Sequence, residues 1–228
     1  FTEEDDSFLK YEEEDGRTVE PTYFVPVIPT LLLNGSHGIG TGWSTSVPTF
    51  HLPHVVDHVR HKLLGTVPAG PLIPHVVGFK GRIEPVLESN TSNTESLQYR
   101  SYGIVTRPSS ARLVITELPC YVWTDDYKNF LIAMVERGEI KEFKEFHSTD
   151  SVRFEILASK AQLDSYEKKG LHTVFKLTSS FSLNNMHAFD RHGKICRFTN
   201  TAEIIDAHFE VRYAAYATRK AALERLYA

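Results

Sequence analysis

One short segment holds four of the chain's 13 glycines, and it reads Asn34-Gly35-Ser36-His37-Gly38-Ile39-Gly40-Thr41-Gly42-Trp43-Ser44. Glycine accepts positive φ and lets another backbone approach closely, so the segment suits an unusual backbone path. A phosphate-binding P-loop needs Lys and then Ser or Thr after its last glycine, but Trp43 stands in the lysine's place. The glycine spacing also departs from the dinucleotide-binding fingerprint. The residues alone leave open a phosphate cradle and a bulged strand of purely structural use.

The composition is that of a globular protein without a membrane segment. The 228 residues are 41% hydrophobic, which is enough to bury the core of one large domain or two small, closely packed ones. The apolar run at residues 25–33 contains two prolines and is far shorter than the roughly 20 residues that span a bilayer. Cys120 and Cys196 lie far apart without a neighbouring histidine pair, which argues against zinc and a disulfide framework. The start at Phe1, followed by acids, favours an internal piece of a longer protein over a secreted chain.

Charge is distributed unevenly along the chain. The net charge is -4, but the first 20 residues hold nine acidic side chains against Lys10 and Arg17. The small basic excess of the remainder lies in residues 50–112, where seven Lys or Arg face four acids. Six histidines from His37 to His75 add positive charge near an anion. Taken alone, so modest an excess is typical of an ordinary solvated surface.

Helices are predicted where apolar residues recur at helical spacing, namely at residues 53–64, 124–138, 159–170 and 201–228. Thr124 and Thr201 are predicted as N-caps of the second and the last helix. Ser159 and Gln162 form the pattern of a capping box at the start of the third. The last helix is expected to continue beyond residue 228.

Strands are predicted within residues 82–118, around residues 152–156 and as a hairpin about the turn at residues 190–193. The apolar stretch at residues 23–33 is also β-rich, although its prolines confine it to edges or irregular positions. Strands and helices in this irregular order predict an α+β fold with a mixed or antiparallel sheet and packed helices.

Three segments are predicted to lack regular structure or to hold little of it. Residues 1–20 are expected to form an exposed acidic connector with at most a short helix around residues 8–11. Residues 66–81 are rich in Pro and Gly and predict a long surface excursion. Residues 89–96 are Ser, Asn, Thr and Glu, as in a mobile loop.

Several motifs occur in the order in which one known family has them. Residues 20–29 read Glu-Pro-Thr-Tyr-Phe-Val-Pro-Val-Ile-Pro and lead into the glycine-rich segment. The further motifs are Phe-Lys-Gly-Arg-Ile-Glu at 79–84, Glu-Leu-Pro at 117–119, Trp-Thr at 123–124, Phe-His-Ser-Thr-Asp at 146–150 and Gly-Leu-His-Thr-Val-Phe-Lys-Leu at 170–177. Together they resemble the type IIA DNA topoisomerases of the eukaryotic and viral kind, at their DNA-binding and cleavage core. The resemblance covers essentially the whole chain.

The resemblance implies a division of the chain into four parts. Residues 1–20 would connect from a winged-helix domain, and residues 21–50 would hold the glycine-rich, DNA-contacting region. Residues 51–200 would form the tower or shoulder domain with its mixed or antiparallel sheet. Residues 201–228 would begin the long coiled-coil helix at the C-gate. His37 departs from the family's usual pattern, and the segment at residues 89–98 looks like an insertion.

The resemblance also implies that the DNA-cleaving chemistry lies elsewhere. In the family a tyrosine beside an arginine attacks the DNA phosphate, and an acidic domain holds Mg²⁺. The pair Arg212-Tyr213 has the right residue types but falls at a structural position, where a buried tyrosine is expected. Asp5-Asp6 lacks the pattern of the metal domain and is expected to be solvated. We therefore expect no catalytic residue, metal or cofactor here, while the parent enzyme would use Mg²⁺ and ATP.

The resemblance implies that this part of the enzyme handles DNA. Ile39 would wedge between base pairs of a bent duplex, as apolar side chains of architectural proteins do. Asn34, Thr41 and Ser44, with the backbone amides of Gly38 and Gly40, are predicted to hydrogen-bond phosphates. Lys80 and Arg82 are candidates for contacts with the flanking duplex. The predicted partners are double-stranded DNA and, in the parent, a second identical protomer, without a membrane.

The parent is expected to be an ATP-dependent, nuclear enzyme that passes one duplex through a break in another, with the mitochondrion, kinetoplast or a virus as alternative locations. Two other functions stay open. The chain could be a module that bends DNA without any reaction, or an interaction domain whose last helix pairs in a coiled coil.

Overall fold

The computed structural model describes residues 3–86 and 98–228, which form two compact units. The first unit joins Phe1–Leu72 to Leu183–Ala228, so it consists of two separate stretches of the chain. The second unit is the continuous stretch Ile73–Ser182. The functional division at residues 20, 50 and 200 stays a prediction. The polar segment at residues 89–96 lies outside the described residues.

The described elements in chain order are a 3-10 helix Glu3–Phe8, β1 Tyr11–Glu14, β2 Arg17–Pro21, α1 Thr30–Asn34, β3 Ser36–Gly40, β4 Trp43–Val47, α2 Leu52–Leu64, β5 Arg82–Pro85, β6 Gln98–Tyr102, β7 Ile104–Ser109, β8 Arg112–Glu117, α3 Thr124–Glu136, β9 Glu142–Glu145, β10 Phe154–Leu157, α4 Lys160–Lys169, α5 Leu171–Val174, β11 Thr178–Ser182, β12 Met186–Phe189, β13 Ile195–Phe198 and α6 Thr201–Tyr227. Among the described residues, no helix is both long enough and apolar enough to cross a membrane.

Three antiparallel hairpins and the long helix α6 dominate the first unit. The hairpins pair β1 with β2, β3 with β4, and β12 with β13. A two-stranded hairpin is marginally stable alone in water, so each needs contacts with the rest of the unit. Helix α6 supplies such contacts to the 3-10 helix, α2 and β13. The buried apolar side chains of this unit include Val25, Leu32, Phe50, Val55, Met186, Ile204 and Ile205.

Two antiparallel sheets and three helices form the described part of the second unit, residues 73–86 and 98–182. One sheet has the strand order β7-β8-β10-β9, and the other has the order β11-β6-β5. Inward-facing side chains of β8 and β10 pack with the apolar stripe of α3 in a single core, which includes Leu113, Ile115, Leu131, Met134, Phe154 and Ile156. Within this core the hydroxyl of Tyr127 donates to the carbonyl oxygen of Phe175 at 2.8 Å. Burial raises the pKa of Tyr127, so this hydroxyl stays a neutral donor.

The helix ends follow local chemistry, with two exceptions to the predicted caps. The capping box at α4 is confirmed, because Ser159 accepts from the Gln162 N–H and the Gln162 side chain reaches back to the Ser159 N–H. The predicted N-caps Thr124 and Thr201 are wrong by one residue. Each is the first helical residue, and the caps are Trp123 and Asn200. Asn200 caps α6 because its side chain accepts from the Glu203 N–H, whereas Thr201 is already helical.

The acidic start and the stretch after it differ from the prediction. Residues 3–20 are more ordered than expected of a connector, because a 3-10 helix and the hairpin β1–β2 occupy most of them. The apolar stretch at residues 23–33 is not β-rich, since residues 30–34 form α1 behind Pro29, which can start a helix but not join a sheet interior. The predicted α+β class with antiparallel sheets is confirmed. The role of α6 as the start of a coiled coil stays a prediction.

Candidate nucleic-acid interface

The glycine-rich segment is a regular β-hairpin. Strands β3 and β4 pair from Ser36↔Val47 to Gly40↔Trp43 without a shift in register. The turn between them is Thr41-Gly42, and Gly42 has φ +82°, a conformation that suits glycine. A P-loop lies between a strand and a helix, whereas this turn lies between two strands. The hypothesis of a P-loop phosphate cradle is therefore wrong. The bulged strand is also wrong, because the hairpin has no bulge.

The hairpin presents Ile39 to solvent. The residue is 88% exposed, and it stands between two glycines in β3. An added Cβ at Gly38 would meet nothing within 4 Å, so the backbone beside Ile39 is open as well. Exposing a large apolar side chain to water is unfavourable in proportion to the exposed area. An isoleucine in this position therefore contributes nothing to the core and is available for contact with a partner.

The base of the hairpin is fixed to the rest of the unit. Gly35 links α1 to β3 with φ +65°, and a Cβ there would lie 2.7 Å from the carbonyl oxygen of Val47. The Phe50 N–H donates to the carbonyl oxygen of Leu32 at 2.8 Å, which closes the segment after β4 onto α1. Asn34 is exposed at the end of α1, two residues before the hairpin. The tip is thus free while its base is held.

The second hairpin, β12–β13, holds β4 from the side. The Ser46 N–H donates to the carbonyl oxygen of Asn185 at 2.8 Å. The hydroxyl of Thr45 donates to the carbonyl oxygen of His187 at 2.7 Å and accepts from the His187 N–H at 3.2 Å. The two bonds between Thr45 and His187 join residues 142 positions apart in the chain. They give the glycine-rich hairpin a support that its own two strands do not supply.

Side chains extend this support to the predicted DNA-binding residue Ser44. The amide nitrogen of Asn185 donates to Ser44 Oγ at 2.9 Å, and Asn185 Oδ1 lies 2.9 Å from His187 Nδ1. The ring of His187 also meets Trp43 edge to face, with 5.4 Å between ring centroids. Since Ser44 Oγ already accepts one hydrogen bond, its O–H is oriented and can donate to an anion.

The predicted site residues fall into two groups. Gly38, Ile39, Gly40, Thr41 and Ser44 share the hairpin β3–β4, and all of them except the half-buried Gly38 are exposed. Asn34 lies two residues before this hairpin in the same unit.

Lys80 and Arg82 belong to the other unit, on either side of Gly81. A Cβ at Gly81 would collide with the carbonyl oxygen of Tyr102, so the chain there passes directly against β6. Arg82 pairs with Glu84 at 3.0 Å and covers the ring of Tyr102 at 4.3 Å. The side chain of Lys80 is exposed and makes no ion pair with any residue in the described part of the chain.

The pair Arg212-Tyr213 is arranged opposite to the expectation of a buried tyrosine. Arg212 is 4% exposed, whereas Tyr213 is 63% exposed. The guanidinium of Arg212 donates to the carboxylate of Asp5 at 2.6 Å and to the carbonyl oxygen of Val25 at 2.8 Å. Asp5 is therefore not solvated as predicted, because burying a guanidinium requires a charged partner.

Acidic and metal-binding residues do not gather into a site in the residues described. Within residues 3–86 and 98–228, no group of three or more His, Cys, Asp or Glu side chains could hold a metal ion. The described residues therefore offer no such group of ligands for the Mg²⁺ that the resemblance implies for the parent.

Sequence reasoning missed the supporting residues Asn185 and His187, together with Phe189 and Arg197 on the same hairpin. The hairpin itself was predicted from its turn at residues 190–193, and its exposed Phe189 is an apolar residue next to that turn. The available signal was that His187 and Phe189 are two positions apart in β12, because residues two apart in a strand lie on the same face.

Comparisons of the sequence and of the fold with known proteins point to one family. Residues 1–226 match the family described as the A-type subunit of DNA gyrase/topoisomerase IV. DNA topoisomerase 2 of Arabidopsis thaliana is 36% identical over 96% of this chain, and the mitochondrial DNA topoisomerase 2 of Dictyostelium discoideum is 38% identical over 96% of it. The chain spans 15% and 16% of the length of these two relatives.

A solved structure has the same fold. It is described as the DNA-binding, cleavage and re-ligation domain of Plasmodium falciparum topoisomerase II, with a TM-score of 0.86 and 36% identity. The match covers 98% of this chain and 30% of that one. The family match over nearly every residue and the likeness of the fold lead to one conclusion: the chain belongs to the DNA gyrase/topoisomerase IV family and is of the eukaryotic topoisomerase II type.

Proposed function

We propose that this chain is the part of a type II DNA topoisomerase that binds and bends the duplex to be cut, with Ile39 as the bending wedge. The observation that carries the proposal is the 88% exposure of Ile39 at the free end of a hairpin whose base is fixed. Proteins that bend DNA insert apolar side chains of this kind between base steps. The similarity to a domain described as DNA-binding supports the choice of DNA as the partner.

The energetics favour a wedge that is exposed before binding. Unstacking one base step costs a few kcal/mol, and burying an apolar side chain between the bases offsets part of that cost. Replacing Ile39 by Ala removes three carbons, which are worth about 0.8 kcal/mol each when fully buried. Roughly 2 kcal/mol of bend stabilisation is therefore at stake in this one side chain.

The residues around Ile39 suit contacts with phosphates. Thr41 and Ser44 carry exposed hydroxyl groups, and Asn34 carries an exposed amide. At Gly38 and Gly40, the absence of a side chain lets the duplex approach the backbone of the hairpin closely. Such contacts fix the position of the duplex without reading its sequence, as an enzyme that acts at many sites requires.

The test compares Ile39→Ala with Val67→Ala in the complete enzyme. Val67 is a β-branched residue that is 87% exposed, so it matches Ile39 in exposure but lies outside the hairpin. We expect Ile39→Ala to reduce the DNA bend angle, measured by energy transfer between labels at the duplex ends, and to leave the melting temperature unchanged. Val67→Ala should change neither. A lowered melting temperature with normal bending would show that Ile39 serves the fold instead.

For the whole enzyme we propose an ATP-dependent homodimer that uses Mg²⁺ and passes one duplex through a break in another. The support is the naming of its relatives as DNA topoisomerase 2. We propose a nuclear location, with the mitochondrial relative as the reason to examine mitochondria as well. The nucleophile, the metal-binding acids and the ATPase are proposed to lie outside these residues. Purified chain with Mg²⁺ should therefore leave supercoiled plasmid uncut, and the appearance of linear DNA would contradict this.

A further inference from the structure

The hairpin β12–β13 presents a second exposed surface beside the glycine-rich hairpin. Directly paired residues share one face of an antiparallel pair, so His187 lies with Arg197 and Phe189 lies with Ile195. Phe189 is 69% exposed. A cavity of about 300 Å³ is lined by both hairpins, with Ile39 and Trp43 from one and Phe189 and Ile195 from the other. The two exposed apolar side chains therefore border one concave surface.

The hairpin β12–β13 carries one acidic side chain, Asp190, against three basic ones, Arg191, Lys194 and Arg197. Arg191 pairs with Glu210 at 3.3 Å. The carboxylate of Asp190 accepts from the N–H groups of His192 and Lys194, and these bonds lower the pKa of Asp190. In the described residues neither Lys194 nor Arg197 makes an ion pair, and both are exposed. Lys194 is close enough to the Asp190 carboxylate to help lower its pKa, so Arg197 is the cation that stays available on the face of Phe189.

An exposed phenylalanine with an unpaired arginine on the same face matches the chemistry of a duplex, whose base faces are apolar and whose phosphate backbone is anionic. The surface is continuous with the hairpin that carries Ile39, because the hydrogen bonds of Thr45 and Asn185 hold the two hairpins together. We propose that β12–β13 is a second DNA-contacting element, in which Phe189 packs on the bases or sugars beside the wedge and Arg197 contacts a phosphate. This inference rests on the proposed function of the first hairpin.

Photocrosslinking of the 228-residue chain tests the contact directly. A photoreactive p-benzoylphenylalanine replaces Ile39, Phe189 or Tyr227 in three separate proteins, which are irradiated with a labelled duplex. Tyr227 is the control because it is 83% exposed and aromatic, and it ends a helix of 27 residues, about 40 Å from that helix's start beside β13. We expect crosslinks from positions 39 and 189 and none from position 227.

The outcomes separate the two proposals. Crosslinking at position 39 without position 189 overturns the second contact and leaves the function of the first hairpin intact. Crosslinking at neither position overturns both. Equal crosslinking at position 227 overturns the inference too, since binding would then have no defined face.

A salt titration supplies an independent measurement. Each phosphate contact adds about 0.9 to the slope of log K against log salt concentration, so Arg197→Gln should flatten that slope by about one. Arg225→Gln, an exposed arginine near the end of α6, serves as the matched control and should leave the slope unchanged. Equal slopes for wild type and Arg197→Gln would remove Arg197 from the interface.

Discussion

Arg212 donates to both carboxylate oxygens of Asp5, at 2.6 and 3.3 Å, across 207 positions of the chain. Both residues are 4% exposed, and the guanidinium also covers the ring of Tyr216 at 4.3 Å. The acidic start of the chain is thereby attached to α6. Removing one partner of a buried ion pair leaves the other charge buried and uncompensated. We expect Asp5→Ala to lower the free energy of unfolding by about 3 to 5 kcal/mol, measured by urea denaturation.

The neighbouring acid provides the control for that measurement. Glu4 lies 3.5 Å from Arg219, and its side chain is 50% exposed. Exposed pairs of this kind contribute at most about 1 kcal/mol, so Glu4→Ala should cost little. The double variant Asp5→Ala with Arg212→Met should recover part of the loss, because it removes the unpaired charge as well. A loss for Asp5→Ala no larger than that for Glu4→Ala would contradict the role of the buried pair.

Thr45 is expected to hold the two hairpins together through its hydroxyl. Thr45→Val keeps the shape but leaves the N–H and the carbonyl of His187 without this partner. We expect faster hydrogen exchange at the His187 amide and a loss of about 1 to 3 kcal/mol of stability. Thr45→Ser keeps the hydroxyl and should restore both. If the valine variant protects the His187 amide as well as wild type does, the support does not depend on this bond.

Lys80 and Arg82 are expected to contribute to DNA binding through charge. Replacing both by Gln should flatten the salt dependence of affinity by up to about two, and Lys80→Gln alone should account for about one. Arg82 should contribute less than Lys80, because Glu84 already pairs with it. Fluorescence anisotropy at several salt concentrations measures the slopes. An unchanged slope in the double variant would place both residues outside the interface.

The stability of the first unit is expected to fall as the pH decreases through the range where free histidine titrates. Burial lowers the pKa of His208, and the charge of Arg212 lowers it further, although a hydrogen bond to the carbonyl oxygen of Pro26 opposes them. The unfolded chain, with its histidine near pH 6.5, therefore takes up a proton before the folded chain does. The contribution of His208 to stability is fully present above about pH 6.5, and it is lost as the pH falls from there toward the lower pKa of the folded state.

Replacing this histidine isolates its contribution. His208→Gln keeps a donor for Pro26 but cannot titrate, so the decline in unfolding free energy below pH 6.5 should become shallower. Part of the decline should persist, because burial also lowers the pKa of His58. His37→Gln, at an exposed site in β3, is the control. A decline as steep in His208→Gln as in wild type would assign the effect to other groups.

Local patterns predicted the parts of the fold that local chemistry determines. The helices α2, α3 and α4 follow apolar spacing and end signals such as Gly65, which has φ +65° at the end of α2. The burial of Asp5 could not be predicted from its neighbours, because its partner lies 207 positions away. Charged residues near the start of a chain are ordinarily solvated, and only the folded position of α6 changes that.

The candidate site divides in the same way. The glycines singled out residues 34–44 but did not predict the hairpin β3–β4, since they left open a phosphate cradle and a bulged strand. The resemblance to a family pointed to Ile39, which is exposed and whose role stays a prediction. The bonds from Thr45 to His187 and from Ser44 to Asn185 join segments that share no local pattern. No spacing rule along the chain relates such residues, so this support became visible only in the fold.

The interrupted first unit has a consequence for the order of folding. Its contacts between Asp5 and Arg212 and between Thr45 and His187 each close a loop that contains the whole of the second unit. Closing a long flexible loop costs conformational entropy that grows with the logarithm of its length, and contacts of high sequence separation slow folding. The continuous stretch Ile73–Ser182 can acquire its core before these contacts form. The chain between the contacting residues is then shorter in its flexible part, which lowers the entropic cost of closing the loop. During synthesis, the glycine-rich hairpin therefore cannot form its hydrogen bonds with β12 until His187 has emerged from the ribosome.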